Sequence, residues 1–156
     1  MEIKKAVTVL KSPEELYRYW RKFDMLPNFM KNLEAVTPLG DRRSHWRAKG
    51  PAAQVFEWDA EITEDQINER IAWRSLEGAD VEQGGAVTFK KAPGDRGTEV
   101  RVRMEYNAPG GKLGAVAAKL IGEDPGTRVY EDLRRFKALM ETGEIPVNNG
   151  EPARPK

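Results

Sequence analysis

The sequence contains no cysteine, a single histidine and no long apolar run. Without cysteine there is neither a disulfide framework nor a thiolate nucleophile, and with one histidine a zinc site is not expected. No run approaches the ~20 apolar residues of a membrane span, and the N-terminus lacks the apolar core of a signal peptide. We therefore expect a cytoplasmic protein with no metal, no cofactor and no stable membrane insertion.

An excess of charge of one sign is also lacking. Twenty-six basic and 25 acidic residues leave a formal net charge of +1, and the two signs are interspersed. A nucleic-acid-binding protein needs a clustered basic face, so no nucleic-acid partner is expected. The 156 residues are most simply one domain. We predict a single domain over residues 1–143 and a disordered tail over 144–156, which is rich in Pro, Gly, Asn and charge.

The clearest pattern is the last one, which predicts a long amphipathic helix over residues 124–142. Asp124 can cap its first turn, Pro125 suits the first helical position, and Gly143 can end it in the left-handed conformation. At ~1.5 Å per residue such a helix is roughly 27 Å long and needs a large apolar surface to pack against. Its apolar stripe recurs at four-three-four spacing: Val129, Leu133, Phe136 and Met140.

Upstream, short segments of alternating or β-branched residues predict strands separated by turn signals. Ser12–Glu15 is a capping box for a helix to about Lys22, and Asp24 can cap a second short helix, Met25 to Lys31. Gly84-Gly85 inside a strand predicts a bulge or bend. A further helical piece is expected over 112–121. The predicted strands are Glu2–Leu10, Leu33–Leu39, Arg43–Lys49, Gln54–Glu64, Glu69–Leu76, Val81–Ala92 and Thr98–Tyr106.

One face of nearly every predicted strand is polar, so only the other face of the sheet is buried. A sheet of seven strands curls, and the long helix is the one element large enough to cover its concave face. The prediction is therefore an α+β fold. In it, a seven-stranded curved antiparallel sheet wraps around a long C-terminal helix, and two short helices lie between the first and second strands.

This order of elements resembles the START-like, birch-pollen-allergen-like superfamily, also called SRPBCC, with its helix-grip fold. Within it the chain is similar to bacterial proteins of the polyketide cyclase/dehydrase type. The stretches that carry the resemblance include SPEELYRYWRKFDMLPNFMKNLEAV, FEWDAEITED, GTEVRVRMEY and EDLRRFKALMETGEIP, and it spans roughly residues 3 to 146. It implies a cavity between sheet and helix that holds a lipid, polyketide or isoprenoid-like molecule. Fold alone does not imply an activity.

Strand parity and the helix stripe select the residues expected to face such a cavity. An empty void of ~300 Å³ would cost roughly 7 kcal/mol, so side chains, water or a ligand must fill it. The sequence is compatible both with a ligand-sized pocket and with a solid core. The candidate cavity residues are Trp46, Phe56, Trp58, Ile71, Trp73, Phe89, Met104, Tyr106, Leu133 and Phe136. The candidate mouth residues are Leu26, Phe29, Met30, Gly110 and Gly111.

Catalytic patterns are sparse, because no Ser/His/Asp set and no phosphate-binding glycine loop is present. His45 shares its parity with Arg47 and Lys49, which places it on the solvated face. Tyr106 and Ser75 are the best inward-facing polar groups. The leading interpretation is a non-catalytic binder of a hydrophobic small molecule. The alternatives are a cyclase/dehydrase-type enzyme, and an interaction module that uses an exposed apolar lip at the mouth.

Overall fold

The computed structural model describes residues 1–50, 53–79, 82–107 and 124–144. The predicted helical piece over 112–121, Gly110, Gly111 and the predicted disordered tail beyond residue 144 lie outside these ranges. The described elements, in chain order, are β1 (Glu2–Val9), α1 (Pro13–Arg21), a 3-10 helix (Phe23–Asn28), β2 (Leu33–Pro38), β3 (Arg43–Lys49), β4 (Val55–Gln66), β5 (Arg70–Ser75), β6 (Glu82–Lys91), a short 3-10 turn (Pro93–Asp95), β7 (Thr98–Asn107) and α2 (Pro125–Thr142).

The strands form one antiparallel sheet in the order β1-β7-β6-β5-β4-β3-β2. Strands β2 to β7 follow one another as neighbours, and β1 returns to pair with β7. The sheet is curved, and α2 lies against its concave face. This architecture confirms the predicted seven-stranded sheet and C-terminal helix.

Of the bulge or bend predicted at Gly84-Gly85, the bulge is wrong. Gly85 pairs in register with Trp73 on one side and Met104 on the other, and the register shifts lie instead in β2 and β4. Glycine is required at this position for steric reasons, because a Cβ at position 85 would lie 2.5 Å from Trp73 Cζ2 and 2.8 Å from Met104 Sδ. A side chain is therefore excluded by the tryptophan ring that packs there.

The helix ends follow the sequence signals. Ser12 Oγ accepts from Glu15 N at 3.2 Å, with Pro13 at the first helical position of α1. Asp124 Oδ1 accepts from Thr127 N at 3.3 Å. Gly143, with φ of 81°, donates from its N–H to Leu139 O at 2.9 Å. The caps predicted for the first and last helices are thus confirmed.

The second short helix differs from its prediction. It is a 3-10 helix that begins at Phe23, so Asp24 lies inside it rather than capping it. Pro27 within this segment has no N–H to donate, which disfavours an α-helical continuation to Lys31. The tight turn brings Leu26 and Phe29 into the core, where they are 0% and 1% exposed.

Strand parity places the tryptophans of the sheet on its concave face. Trp46 lies 5.8 Å from Trp58 and 6.4 Å from Trp73, measured between ring centroids. The stripe of α2 closes over them, with Leu133, Phe136, Leu139 and Met140 buried and Val129 half-buried. None of the helices in the described part of the chain is long and apolar enough to cross a membrane.

Helix α2 is also fixed to the sheet by polar contacts near its C-terminal end. Lys137 Nζ donates to Thr8 O at 2.6 Å, and the Glu141 carboxylate accepts from Leu10 N at 2.7 Å. These contacts lie at the end of β1, the edge strand. They anchor the second half of the helix, while its first half lies over the cavity described next.

Candidate ligand-binding cavity

A cavity of about 110 Å³ lies between the concave face of the sheet and the first half of α2. It is smaller than the ~300 Å³ considered from the sequence, because the indole rings occupy much of the space. Its wall is mainly apolar and comprises Trp20, Met30, Leu33, Trp46, Ala48, Trp58, Val102, Met104, Pro125, Val129 and Leu133. Its polar groups are Asn32, Gln83, Tyr106, Arg128 and Asp132.

Half of the candidate cavity residues lie on this wall: Trp46, Trp58, Met104, Tyr106 and Leu133. The others share the inward face but contribute to the core instead of the lining: Phe56, Ile71, Trp73, Phe89 and Phe136. Phe89, for example, packs against Tyr17 and Trp20 of α1. Helix α1 therefore fills the part of the sheet that parity alone would assign to the cavity.

The predicted exposed lip is not formed as expected. Leu26 and Phe29 are buried and do not line the cavity, because the Phe29 ring packs on Phe136 with centroids 4.9 Å apart. Met30 is half-buried and does line it. The interaction-module interpretation loses two of its three lip residues, and Gly110 and Gly111 lie outside the described residues.

Among the lining residues that were not predicted from the sequence are Trp20 and four polar residues: Asn32, Gln83, Arg128 and Asp132. Two of them had a readable signal. Trp20 lies one turn after Leu16 on the apolar face of α1, and Gln83 shares strand parity with Val87 and Phe89. The other three depend on tertiary packing, since they flank apolar positions on α2 or follow the 3-10 helix.

An ion pair at the cavity wall ties the chain before β2 to α2. Asp132 Oδ1 accepts from Lys31 N at 3.3 Å and forms a short hydrogen bond with the Arg135 guanidinium. Arg135 Nε also donates to Phe29 O at 3.0 Å. Burial raises the pKa of the Asp132 carboxyl, and the Arg135 hydrogen bond opposes that rise. The carboxylate thus helps to hold this part of the cavity wall together.

Three further polar side chains line the cavity, those of Asn32, Arg128 and Tyr106. The Asn32 amide lies against the Arg128 guanidinium. Burial raises the pKa of the Tyr106 phenol to about 12, so the phenol keeps its proton at neutral pH and can donate. Ser75 does not line the cavity, because its Oγ accepts from Gln83 N at 3.0 Å within the core.

His45 lies on the opposite, convex face of the sheet, as its parity predicts. Its Nδ1 is 2.7 Å from Asp59 Oδ1 and its Nε2 is 3.0 Å from Glu57 Oε1. The hydrogen bond to Glu57, and after it the weaker contribution of the hydrogen bond to Asp59, raise the pKa of His45 above its usual 6.5. This histidine is therefore remote from the cavity wall and belongs to a surface ion-pair network.

The His45 network makes stability depend on pH. A histidine whose folded-state pKa is raised stabilises the fold fully below its unfolded pKa and loses that contribution as pH rises through the folded pKa. The Tm advantage of wild type over His45→Gln should therefore be largest near pH 6 and fade above the raised pKa. The exposed site keeps the effect below about 1 kcal/mol. Arg43→Gln, a non-titrating control on the same strand, should show no such trend in thermal melts between pH 6 and 8.5.

The curved sheet, the closing helix and the aromatic cavity between them define a START-like helix-grip protein. The chain belongs to the family of polyketide cyclases/dehydrases and lipid-transport proteins, which its residues 9–134 match. A 17.2 kDa protein from Streptomyces lincolnensis, itself uncharacterised, is 34% identical over 131 residues, covering 80% of this chain and 79% of that protein.

Solved structures show the same fold. A crystal structure from Deinococcus radiodurans is 41% identical, covers 92% of this chain and 98% of that one, and superposes with a TM-score of 0.75. A START superfamily protein from Mycobacterium smegmatis is 14% identical with a TM-score of 0.69, covering 89% and 98% of the two chains. At that identity the second similarity concerns the fold alone.

Proposed function

We propose that this protein binds a hydrophobic small molecule in the cavity between the sheet and α2, without catalysing a reaction on it. The observation that carries the proposal is an aromatic cavity that remains open in a core otherwise packed with indole and phenyl rings. The membership of a family that includes lipid-transport proteins supports the same class of ligand. The lipid, polyketide or isoprenoid-like nature of that ligand is part of the proposal.

The energetics of the cavity favour an occupant. An empty space of about 110 Å³, at ~24 cal/mol per Å³, destabilises a protein by roughly 3 kcal/mol. That is a large fraction of the 5–15 kcal/mol typical of a domain. Three tryptophan rings line the wall and offer flat apolar contact area to a ring-shaped or branched ligand.

The polar groups of the cavity suit recognition better than turnover. The single histidine lies on the convex face. The Asp132 carboxylate is bound by Arg135 and the Lys31 backbone, and the Tyr106 phenol has a pKa of about 12. A phenol that keeps its proton is a poor general base at neutral pH, and the Asp132 carboxylate already accepts from Arg135 and the Lys31 backbone. We therefore place a cyclase/dehydrase activity second to binding.

Blocking the cavity from within tests the proposal. Ala48 is buried on β3 and lines the cavity, so Ala48→Leu projects a larger side chain into it. The variant should bind α-methylstyrene, a compact one-ring hydrocarbon, roughly tenfold or more weakly than wild type, since the added atoms take the space of the probe. Binding is followed by the ¹³C-methyl signals of Met30 and Met104 on the wall, with Met25 as the internal reference.

The matched control is Ala72→Leu, the same substitution on the convex face of β5. It should leave the probe affinity unchanged while altering a strand in the same way. Native mass spectrometry of the gently purified protein adds a search for a co-purified apolar ligand. If wild type binds neither the probe nor a co-purified molecule, or if Ala48→Leu binds as tightly as Ala72→Leu, the proposed function is wrong.

A further inference from the structure

Within the described ranges, two buried indole N–H groups have no hydrogen-bond partner, Trp20 Nε1 and Trp73 Nε1. Trp46 by contrast donates from Nε1 to Ser44 Oγ at 2.8 Å. Native proteins rarely leave a buried donor unpaired, so each such group needs an explanation. An indole nitrogen only donates, and it therefore requires an acceptor.

The two orphan donors differ in position. Trp20 is 1% exposed and forms part of the cavity wall, whereas Trp73 packs in the core against Phe23 and the backbone of Gly85. An occupant of the cavity can contact Trp20 but not Trp73, which does not line it. The chain thus supplies both a candidate recognition group and an internal reference of the same chemistry.

The surroundings of Trp20 favour a ligand atom over a water molecule as its acceptor. The rings packed around it are Phe29, Trp73, Phe89 and Phe136, with centroids 5.0, 6.3, 6.4 and 5.1 Å away. An ordered buried water needs two to four polar partners, and these rings provide none. A carbonyl oxygen needs no partner of its own beyond the donor, whereas a hydroxyl would bring a further donor to satisfy.

We propose that Trp20 Nε1 is a ligand-recognition donor, and that the cavity takes a compact ring compound whose carbonyl oxygen lies at the α1 side and accepts from it. The inference rests on the proposed function and narrows its ligand class. The volume of about 110 Å³ limits how much of the ligand is enclosed, since a fully enclosed benzene occupies a cavity of ~150 Å³. The polar groups of Asn32, Tyr106 and Arg128 then border the remaining part of the same ligand.

Two probes of the same shape test the inference. Acetophenone carries a carbonyl oxygen where α-methylstyrene carries a methylene group, so the pair isolates the acceptor. The chain has four tryptophans, and their indole ¹H–¹⁵N signals are assigned by single Trp→Phe variants. In wild type, acetophenone should move the Trp20 indole proton downfield, α-methylstyrene should not, and the Trp73 indole should respond alike to both probes.

Affinities provide the second measurement. Trp20→Phe keeps an aromatic ring and removes the donor, so it should weaken acetophenone binding roughly three- to tenfold more than α-methylstyrene binding. Trp73→Phe should weaken both probes equally. The wild-type indole shifts decide the matter if Trp20→Phe does not fold.

The outcomes separate this inference from the proposed function. If α-methylstyrene binds but the Trp20 indole responds identically to both probes, or Trp20→Phe weakens both equally, the hydrogen-bond inference is overturned and the binding function stands. If neither probe binds wild type, both are overturned. A downfield shift confined to the Trp20 indole and to acetophenone supports the inference.

Discussion

Replacing Phe136 with alanine should lower the free energy of unfolding by about 3–5 kcal/mol, the largest effect expected of a single substitution discussed for this chain. Phe136 is fully buried on the stripe of α2. Its ring lies 5.1 Å from Trp20, 4.9 Å from Phe29 and 6.3 Å from Tyr19. One side chain therefore joins α1, the segment after the 3-10 helix and α2.

Three packed neighbours prevent the site from collapsing around alanine, which is why the upper part of the range applies. Urea unfolding followed by far-UV circular dichroism measures the change, and an unchanged slope of free energy against urea would show that the midpoint shift reports stability. Tyr130→Ala on the same helix is the control, because Tyr130 is 41% exposed. Its effect should stay within about 0.5 kcal/mol. A Phe136→Ala effect as small as that would contradict the seating of α2 described here.

The long helix and the strands were predictable because their signals are local. A helix end needs a cap within a few residues, and Asp124 and Gly143 supply both ends of α2. A half-buried strand needs alternation, and Thr98 to Tyr106 shows it plainly. Alternation also places Trp58 and Trp73 on the same face without any knowledge of tertiary structure.

The size and lining of the cavity were not predictable in the same way. Parity says that Phe89 and Trp73 face inward, but not that α1 covers them and removes them from the wall. Whether a gap remains between the packed rings depends on the position of the helix to within a few ångströms. The alternation of polar and apolar residues in the strands does not determine that position. The polar lining residues were also not predictable, because Asp132 meets the Lys31 backbone only after the sheet and α2 have packed.

The 3-10 helix shows a local signal that was read incompletely. Leu26 and Phe29 look like an exposed lip when the segment is drawn as an α-helix that begins after Asp24. Pro27 removes a donor inside it, and the tighter turn directs both side chains into the core. An apolar pair next to a proline is therefore better interpreted as core until its exposure is known.

The glycine pair in β6 leads to the second large effect. Gly85→Ala should destabilise the fold by about 1–3 kcal/mol, as overpacking of a filled core does. The new Cβ would lie 2.5 Å from Trp73 Cζ2 and 2.8 Å from Met104 Sδ. Replacing a strand glycine without such a clash tends to stabilise, by roughly 0.5–1 kcal/mol, so the contact with the ring decides the sign.

Gly84→Ala is the matched control, one residue away on the other face of the same strand. Its Cβ would meet the Trp73 carbonyl oxygen at 3.1 Å and no ring atom within the three nearest contacts. That close contact should offset the usual gain from replacing a strand glycine, so the free energy of unfolding should hardly change. The difference between the two variants should reach at least about 1 kcal/mol in urea unfolding. Equal effects would mean that the sheet, and not the Trp73 ring, requires the glycine.

The same substitution should also reach the cavity. Trp73 is held in the core by Phe23 and Trp46, so its ring has little freedom to move away from a new methyl group. The Met104 side chain is flexible and lines the cavity, so it is the neighbour that yields. Gly85→Ala should consequently shift the Met104 methyl signal in the free protein and weaken α-methylstyrene binding, while Gly84→Ala leaves both unchanged. Loss of stability without any change at Met104 would place the strain in the tryptophan layer, and the cavity would then be independent of this glycine.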